Sequence, residues 1–447
     1  MKSALSRRTF LGGTAAAGAA LCLPASKAAA AEKAAATAKA AAPAPAGVTA
    51  AAGTEWPLFD ASDEQALIKV LRSGKWGRTA IANGRVKEWE GVFAERMRAK
   101  YCVATSSGTT ALISALGALN VGPGDEVILP PYTFVASFNV ITSSFALPVF
   151  ADVDAASFQI DPAKMAAAIT PATKVLLPVH IGGSPCDLEA VGKIARDRKI
   201  TLLEDACQAP GADWQGAPVG TVGIGGCFSF QASKNLTAGE GGAVVTNDEA
   251  FVNQVYNFHT PGTPKPVPSW GRASNYRLTE FQAALLLAQY ARFNQQQDVR
   301  NANATHLTSQ LKQIPGIAPA KLLGEKSRSG WHLYMMRYDK RQFSGLSRAK
   351  FIEALGKAKI AASSGYATLN LSAHVKALAA NPHYQRIYGK DTMARWLERN
   401  ICPVNDQLVE EAVWFGQTKL LGSRAEMDRI AQTIADIQKR SGELAKV

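Results

Sequence analysis

From Trp56 onward the chain alternates short apolar runs with amphipathic stretches at helical spacing, and this alternation restricts it to layered architectures with a sheet between helices. The strand-like runs fall at 127–129, 149–153, 175–179, 201–203, 227–230 and 243–246. One intervening helix is expected to begin near Thr109, with Leu112, Leu116 and Leu119 along one side. Another follows Asp187 as its N-cap, with Leu188, Val191 and Ile194 on one face. The fold class this predicts is α/β, a doubly wound and mostly parallel sheet. A long helix is expected from about Thr279 to Lys312, because Phe281, Ala284, Leu285 and Ala288 recur at i, i+3, i+4 and i+7. Beyond Pro315 the pattern changes to a smaller α+β segment with a strand candidate at 332–338. The expected domains are 55–315 and 316–447.

Ahead of this body, residues 1–31 run charged, then apolar, then small: Arg7-Arg8, an apolar stretch over 10–23, and alanines at 28–31 that offer A-x-A cleavage sites. The order is that of a secretory signal. S-R-R-T-F-L, Ser6 to Leu11, resembles the twin-arginine export signal, so a periplasmic or extracellular destination is expected. Cys22 follows Leu21 rather than the small residue a lipidation site needs, and no membrane anchor is expected after the signal is removed. Residues 32–54 are Ala, Pro, Lys and Thr in low complexity and read as a flexible tether.

The formal charge of +13 includes Lys2, Arg7, Arg8 and Lys27 of the leader. The other Lys and Arg are scattered without interleaved aromatics, which argues against a nucleic-acid partner. Six cysteines, at 22, 102, 186, 207, 227 and 402, form no CxxC pair and have no His at ligand spacing. Neither a metal site nor a disulfide framework is expected.

Ligands of open α/β sheets sit at the carboxyl ends of the strands, so polar residues that end apolar runs come first. Asp205 closes I-T-L-L-E-D, and Lys234 follows C-F-S-F in F-S-F-Q-A-S-K-N-L-T-A-G-E-G-G. Singly, a strand-end Asp is usually a helix cap and a Lys is usually on the surface; together they mark a site. A third element is T-S-S-G-T-T, Thr105 to Thr110, between Val103 and a helix, where free backbone amides and the helix dipole suit a phosphate. His180 reads as a packed strand histidine, and Glu240-Gly241-Gly242 as a tight turn without a catalytic role.

The motifs S-G-T-T-A-L (from Ser107), P-Y-T-F-V-A-S (from Pro131), P-V-H-I-G-G (from Pro178), L-E-D-A-C-Q-A (from Leu203), S-F-Q-A-S-K-N-L-T-A-G-E-G-G (from Ser229) and S-N-Y-R-L-T-E-F-Q-A-A (from Ser274) resemble, in this order, those of the DegT/DnrJ/StrS aminotransferases. The resemblance spans roughly Pro57 to the C-terminus. It implies the aspartate-aminotransferase fold (fold type I), with a large cofactor-binding domain and a smaller C-terminal α+β domain, and the cofactor pyridoxal 5'-phosphate.

It also implies roles. Lys234 would hold the cofactor as a Schiff base and later shuttle a proton, which requires an amine whose pKa burial has lowered. Asp205 would pair with the pyridine nitrogen. Gln208 would bond the ring's phenolic oxygen, Phe134 would stack on the ring, and Gly108, Thr109 and Ser229 would hold the phosphate. Asn275 matches a residue the family lends to the neighbouring subunit's phosphate, which implies a homodimer with shared sites. Arg277 and Arg337 are candidates for the donor carboxylate.

The activity implied is transfer of an amino group from L-glutamate or L-glutamine to a keto-sugar or keto-cyclitol. The dehydratases of the family carry His in place of the Schiff-base lysine, so Lys234 argues against dehydration. C-P-V-N-D-Q-L-V-E-E-A-V-W-F (from Cys402) and L-L-G (from Leu420) are similar to the branch acting on inososes. Two departures, Pro210 where the family has His and G-Y-A-T-L (from Gly365) without its usual Pro, adjoin regions that shape substrate choice. The competing reading is an exported protein that binds or senses the cofactor without turnover.

Overall fold

The central sheet has seven strands: β1 (Tyr101–Thr105), β2 (Glu126–Leu129), β3 (Leu147–Phe150), β4 (Thr173–Leu176), β5 (Thr201–Asp205), β6 (Gly225–Ser229) and β7 (Gly242–Thr246). Their order is β1-β7-β6-β5-β4-β2-β3 in this computed structural model, which describes residues 55–262, 265–267 and 270–446. The expected signal peptide at 1–31 and tether at 32–54 lie outside the described residues. Strands β3, β2, β4, β5 and β6 are mutually parallel, while β7 runs antiparallel to both β6 and β1.

Alternate strand residues feed two separate cores, as side chains on a pleated strand must. Ala104, Ile128, Leu176, Leu202, Phe228 and Val245 pack with Trp89, Phe93 and Phe293 on one face. Val103, Val127, Val175, Leu203, Cys227 and Val244 pack with Leu112, Leu116, Val252 and Val255 on the other. Helices therefore cover both faces, and strands buried on both sides read in the sequence as unbroken apolar runs.

The helix Leu188–Arg198 starts where expected: the Asp187 side chain accepts from the Ala190 amide at 2.9 Å. The long helix runs Glu280–Leu311 behind a capping box of Thr279 and Gln282. In its first half, Arg292 makes a buried ion pair with Asp63 at 2.5 Å and Gln289 bonds the same carboxylate, fastening the helix Ala61–Ser73. In its second half, Ala304, Leu307 and Leu311 join a core with Tyr334, Met336, Val413 and Phe415. These last residues belong to an antiparallel sheet of β8 (Ile317–Pro319), β9 (Leu333–Tyr338) and β10 (Ala412–Gly416). All five described cysteines are unpaired, and four of them are buried.

Two strands are displaced from their expected positions, and β1 was not among the expectations. β3 ends at Phe150 and β4 at Leu176, although Ala151, Val153, Leu177 and Val179 beyond them are as deeply buried. Burial continues past the hydrogen-bonded ladder, and apolar character reports burial rather than pairing. In β1, the run Y-C-V-A-T is too short and too mixed in size to stand out.

Candidate active site

The carboxyl ends of β1, β5 and β6 open onto one cavity of about 510 Å³. Its walls include Gly108, Thr109, Phe134, Asp205, Gln208, Ser229 and Lys234, which brings together every site residue expected from the sequence except Asn275. Asn275 is exposed and is not part of these walls. Neither Arg277 nor Arg337 lines the cavity, and Arg337 is paired with Glu411 at 2.7 Å.

The end of this cavity expected to take a phosphate is built by the turn from β1 into the helix Gly108–Ala118. Ser107 and Thr110 form a capping box: Ser107 Oγ accepts from the Thr110 amide at 3.1 Å, and Thr110 Oγ1 accepts from the Ser107 amide at 2.9 Å. The box consumes those two donors and leaves the intervening amides of Gly108 and Thr109 for an anion, where the helix dipole favours one. Gly108 is required for the close approach, because a Cβ there would stand 2.6 Å from Ser229 Cβ and 2.9 Å from Cys207 Sγ.

On the same cavity, Asp205 ends β5 and is buried. Its Oδ2 accepts from Ser137 Oγ at 2.7 Å and its Oδ1 from the Cys207 amide at 3.1 Å, so the carboxylate is fixed in orientation. Gln208 is fixed too: Oε1 accepts from the Gly182 amide at 2.9 Å and Nε2 donates to Tyr366 Oη at 2.7 Å. One Nε2 hydrogen remains for a ligand. Phe134 leaves 56% of its surface exposed at the cavity wall, a large uncovered apolar face.

Lys234 lies in the connection from β6 to β7, with its amide donating to Gln231 O at 2.8 Å. Burial lowers the pKa of its ammonium, only partly opposed by Cys207 and Asp205. Its Nζ stands 3.4 Å from His332 Nε2.

His180 is packed away from the cavity. Its Nδ1 accepts from the Cys186 amide at 3.2 Å, so its Nε2 donates to Glu204 at 3.0 Å and the ring is neutral. Ser137, His332 and Tyr366 also line the cavity but carried no role in the sequence reading. Ser137 ends the quoted P-Y-T-F-V-A-S motif, and Tyr366 lies in the quoted G-Y-A-T-L. His332 carried no signal beyond its place at the start of an expected strand.

The donor set fits pyridoxal phosphate: free amides for a phosphate, an amine of lowered pKa, a fixed carboxylate and an uncovered aromatic face, all on one cavity. Proteins of similar sequence and structure agree with that chemistry. Residues 57–434 match the DegT/DnrJ/EryC1/StrS aminotransferase family. The 3-amino-5-hydroxybenzoate synthase of Amycolatopsis mediterranei is 34% identical over 86% of this chain and 97% of its own length. The L-glutamine:2-deoxy-scyllo-inosose aminotransferase of Streptoalloteichus tenebrarius is 34% identical over 87% and 95%. The crystal structure of 3-amino-5-hydroxybenzoic acid synthase superposes with a TM-score of 0.73 at 33% identity, covering 87% of this chain and 98% of that one.

Proposed function

The chain belongs to the DegT/DnrJ/EryC1/StrS aminotransferase family, and on that premise we propose that it draws its amino group from L-glutamine or L-glutamate and works as a homodimer after twin-arginine export. It is a pyridoxal-phosphate-dependent aminotransferase of fold type I, and its acceptor class is a keto-sugar or keto-cyclitol. Similarity to the inosose aminotransferases supports glutamine as donor. The exposed position of Asn275, away from its own cavity, supports a residue given to a second copy.

The observation that carries the reading is the meeting of Lys234 and Asp205 on one cavity beside the free amides of Gly108 and Thr109. When bound, pyridoxal phosphate supplies an electron-accepting ring for the charge left at the substrate carbon. Gly108, Thr109 and Ser229 would hold its phosphate, Phe134 would cover the ring and Gln208 would donate to its oxygen. Asp205, held by Ser137, would keep a proton on the ring nitrogen. Burial makes Lys234 lose its proton readily, so that as a neutral amine it would hold the group covalently and would then move a proton at the substrate carbon.

The visible spectrum of the mature protein, taken before and after addition of L-glutamine or L-glutamate, tests this. A yellow band that bleaches with one donor identifies that donor. Lys234→Ala is expected to abolish both turnover and the covalent cofactor link, and retained transamination would refute the assignment. Replacing both Arg7 and Arg8 by Lys is expected to leave the protein in the cytoplasm, as read by fractionation; undiminished export would overturn that part.

A further inference from the structure

His332 is a group the reaction as described does not use. It precedes β9 and is 8% exposed, and its backbone is pinned on both sides. The Gly330 amide donates to Gly183 O at 2.7 Å, Asn235 Nδ2 donates to Gly330 O, and His332 O accepts from the Gln417 amide at 3.1 Å. His332 lines both the Lys234 cavity and a second cavity of about 570 Å³ whose walls include Trp56, Tyr366, Trp414 and Gln417. Its Nε2 stands 3.4 Å from Lys234 Nζ, while its Nδ1 is buried without a partner among the described residues.

We propose that His332 is a positioning residue for amino transfer, whose Nε2 accepts a hydrogen bond from Lys234 Nζ whenever that amine is free. This rests on the aminotransferase reading above. While Nζ is an ammonium it has no lone pair, so the imidazole must accept and carries its own proton on Nδ1. When Nζ becomes a neutral amine, the bond to His332 occupies one N–H. The lone pair is then left at another corner of the nitrogen, open to the cavity where the reacting carbon arrives.

The surroundings decide between a positioning role and a proton store. Burial first, then the Lys234 and Arg300 cations, hold the His332 imidazole well below its usual range. A proton passed to it would return at once. The charged and titratable groups around the pair are Asp205 and Cys207 beside Lys234, Glu240 and Tyr366 on the walls of the same cavity, and Arg300 on the His332 side. Arg300 is fully buried, donates to Gln417 Oε1 at 2.6 Å and 2.9 Å, and lies over the Trp56 ring. Asp205 acts on Lys234, and no carboxylate is among the groups that act on the His332 imidazole.

The test measures the rate at which pyridoxal phosphate re-forms its covalent band with the protein after the cofactor has been converted by amino donor and washed out, as a function of pH. In the wild type this rate rises with pH as Nζ deprotonates. His332→Leu is expected to lower the plateau rate on the order of tenfold, the cost of a misplaced reacting group, and to move the midpoint to lower pH, because the ammonium loses its acceptor. His332→Gln, whose Oε1 reaches the position of Nε2, is expected to restore both toward wild type. His332→Asn, polar but too short, should resemble Leu and replaces it if the Leu variant does not fold.

Wild-type midpoint and plateau in a folded Leu or Asn variant would overturn the proposal, as would Gln behaving like Asn. A wild-type protein that forms no band at all would instead overturn the aminotransferase reading, and this inference with it.

Discussion

At Gly108 the backbone itself is the binding group, and the Cβ of an alanine there would meet Ser229 Cβ at 2.6 Å. Contacts that close force the turn and the β6 end apart. Gly108→Ala is therefore expected to weaken pyridoxal phosphate binding by about tenfold or more while leaving the secondary structure intact, since helical φ/ψ suits alanine. Titration of the visible band, with circular dichroism as control, checks it. Residues of this kind were legible in the sequence when they ended an apolar run. Asp205 closes one strand and Lys234 follows another in the connection after it, where topology directs them to the ligand, whereas Ser229 was reached only through the family resemblance. His332 and Tyr366 were not legible as site residues. They reach the cavity from around β9 and β10, about 100 residues or more away in sequence from Lys234, and a single histidine or tyrosine carries no local sign of what will face it.

The end of β5 shows how one element serves both fold and site. Glu204 and Asp205 are neighbours on opposite faces of the strand: Asp205 faces the cavity, and Glu204 is buried behind it against His180. Burial alone would raise the Glu204 pKa, but the hydrogen bonds from His180 and from the Gly220 and Gly223 amides hold it below 4.5. A carboxyl whose folded pKa is depressed contributes stability above its unfolded value, and that contribution is lost as the pH falls through the folded value. Glu204→Gln is expected to cost on the order of 3 kcal/mol at pH 7, and its deficit should shrink as the pH is lowered below 4.5. Urea unfolding at a series of pH values measures the difference; a deficit constant with pH would contradict it. Strand existence was readable here, but strand limits were not, because Leu177 and Val179 are as buried outside the ladder as β4 is within it.

For the whole molecule, the proposed homodimer with exchanged Asn275 can be tested by a mixing experiment. Lys234→Ala and Asn275→Ala, each inactive or impaired alone, should together regain roughly a quarter of wild-type activity after subunit exchange, since the hybrid pair contains one intact site. No recovery on mixing would mean that each chain completes its own site. The layered α/β plan was legible from residue 56 onward, whereas the closing of one cavity by residues before β9 and around β10 was a property of the assembled molecule. The proposed export gives the unpaired cysteines a further meaning. Burial pushes the thiols of Cys102, Cys186, Cys207 and Cys227 well above their ordinary pKa, and that of Cys402 upward as well. Oxidation proceeds through the thiolate, and these side chains are kept from forming it. The four buried sulfurs, of Cys102, Cys186, Cys227 and Cys402, can thus enter an oxidising compartment as packing atoms, with no need of a disulfide partner or a reductant.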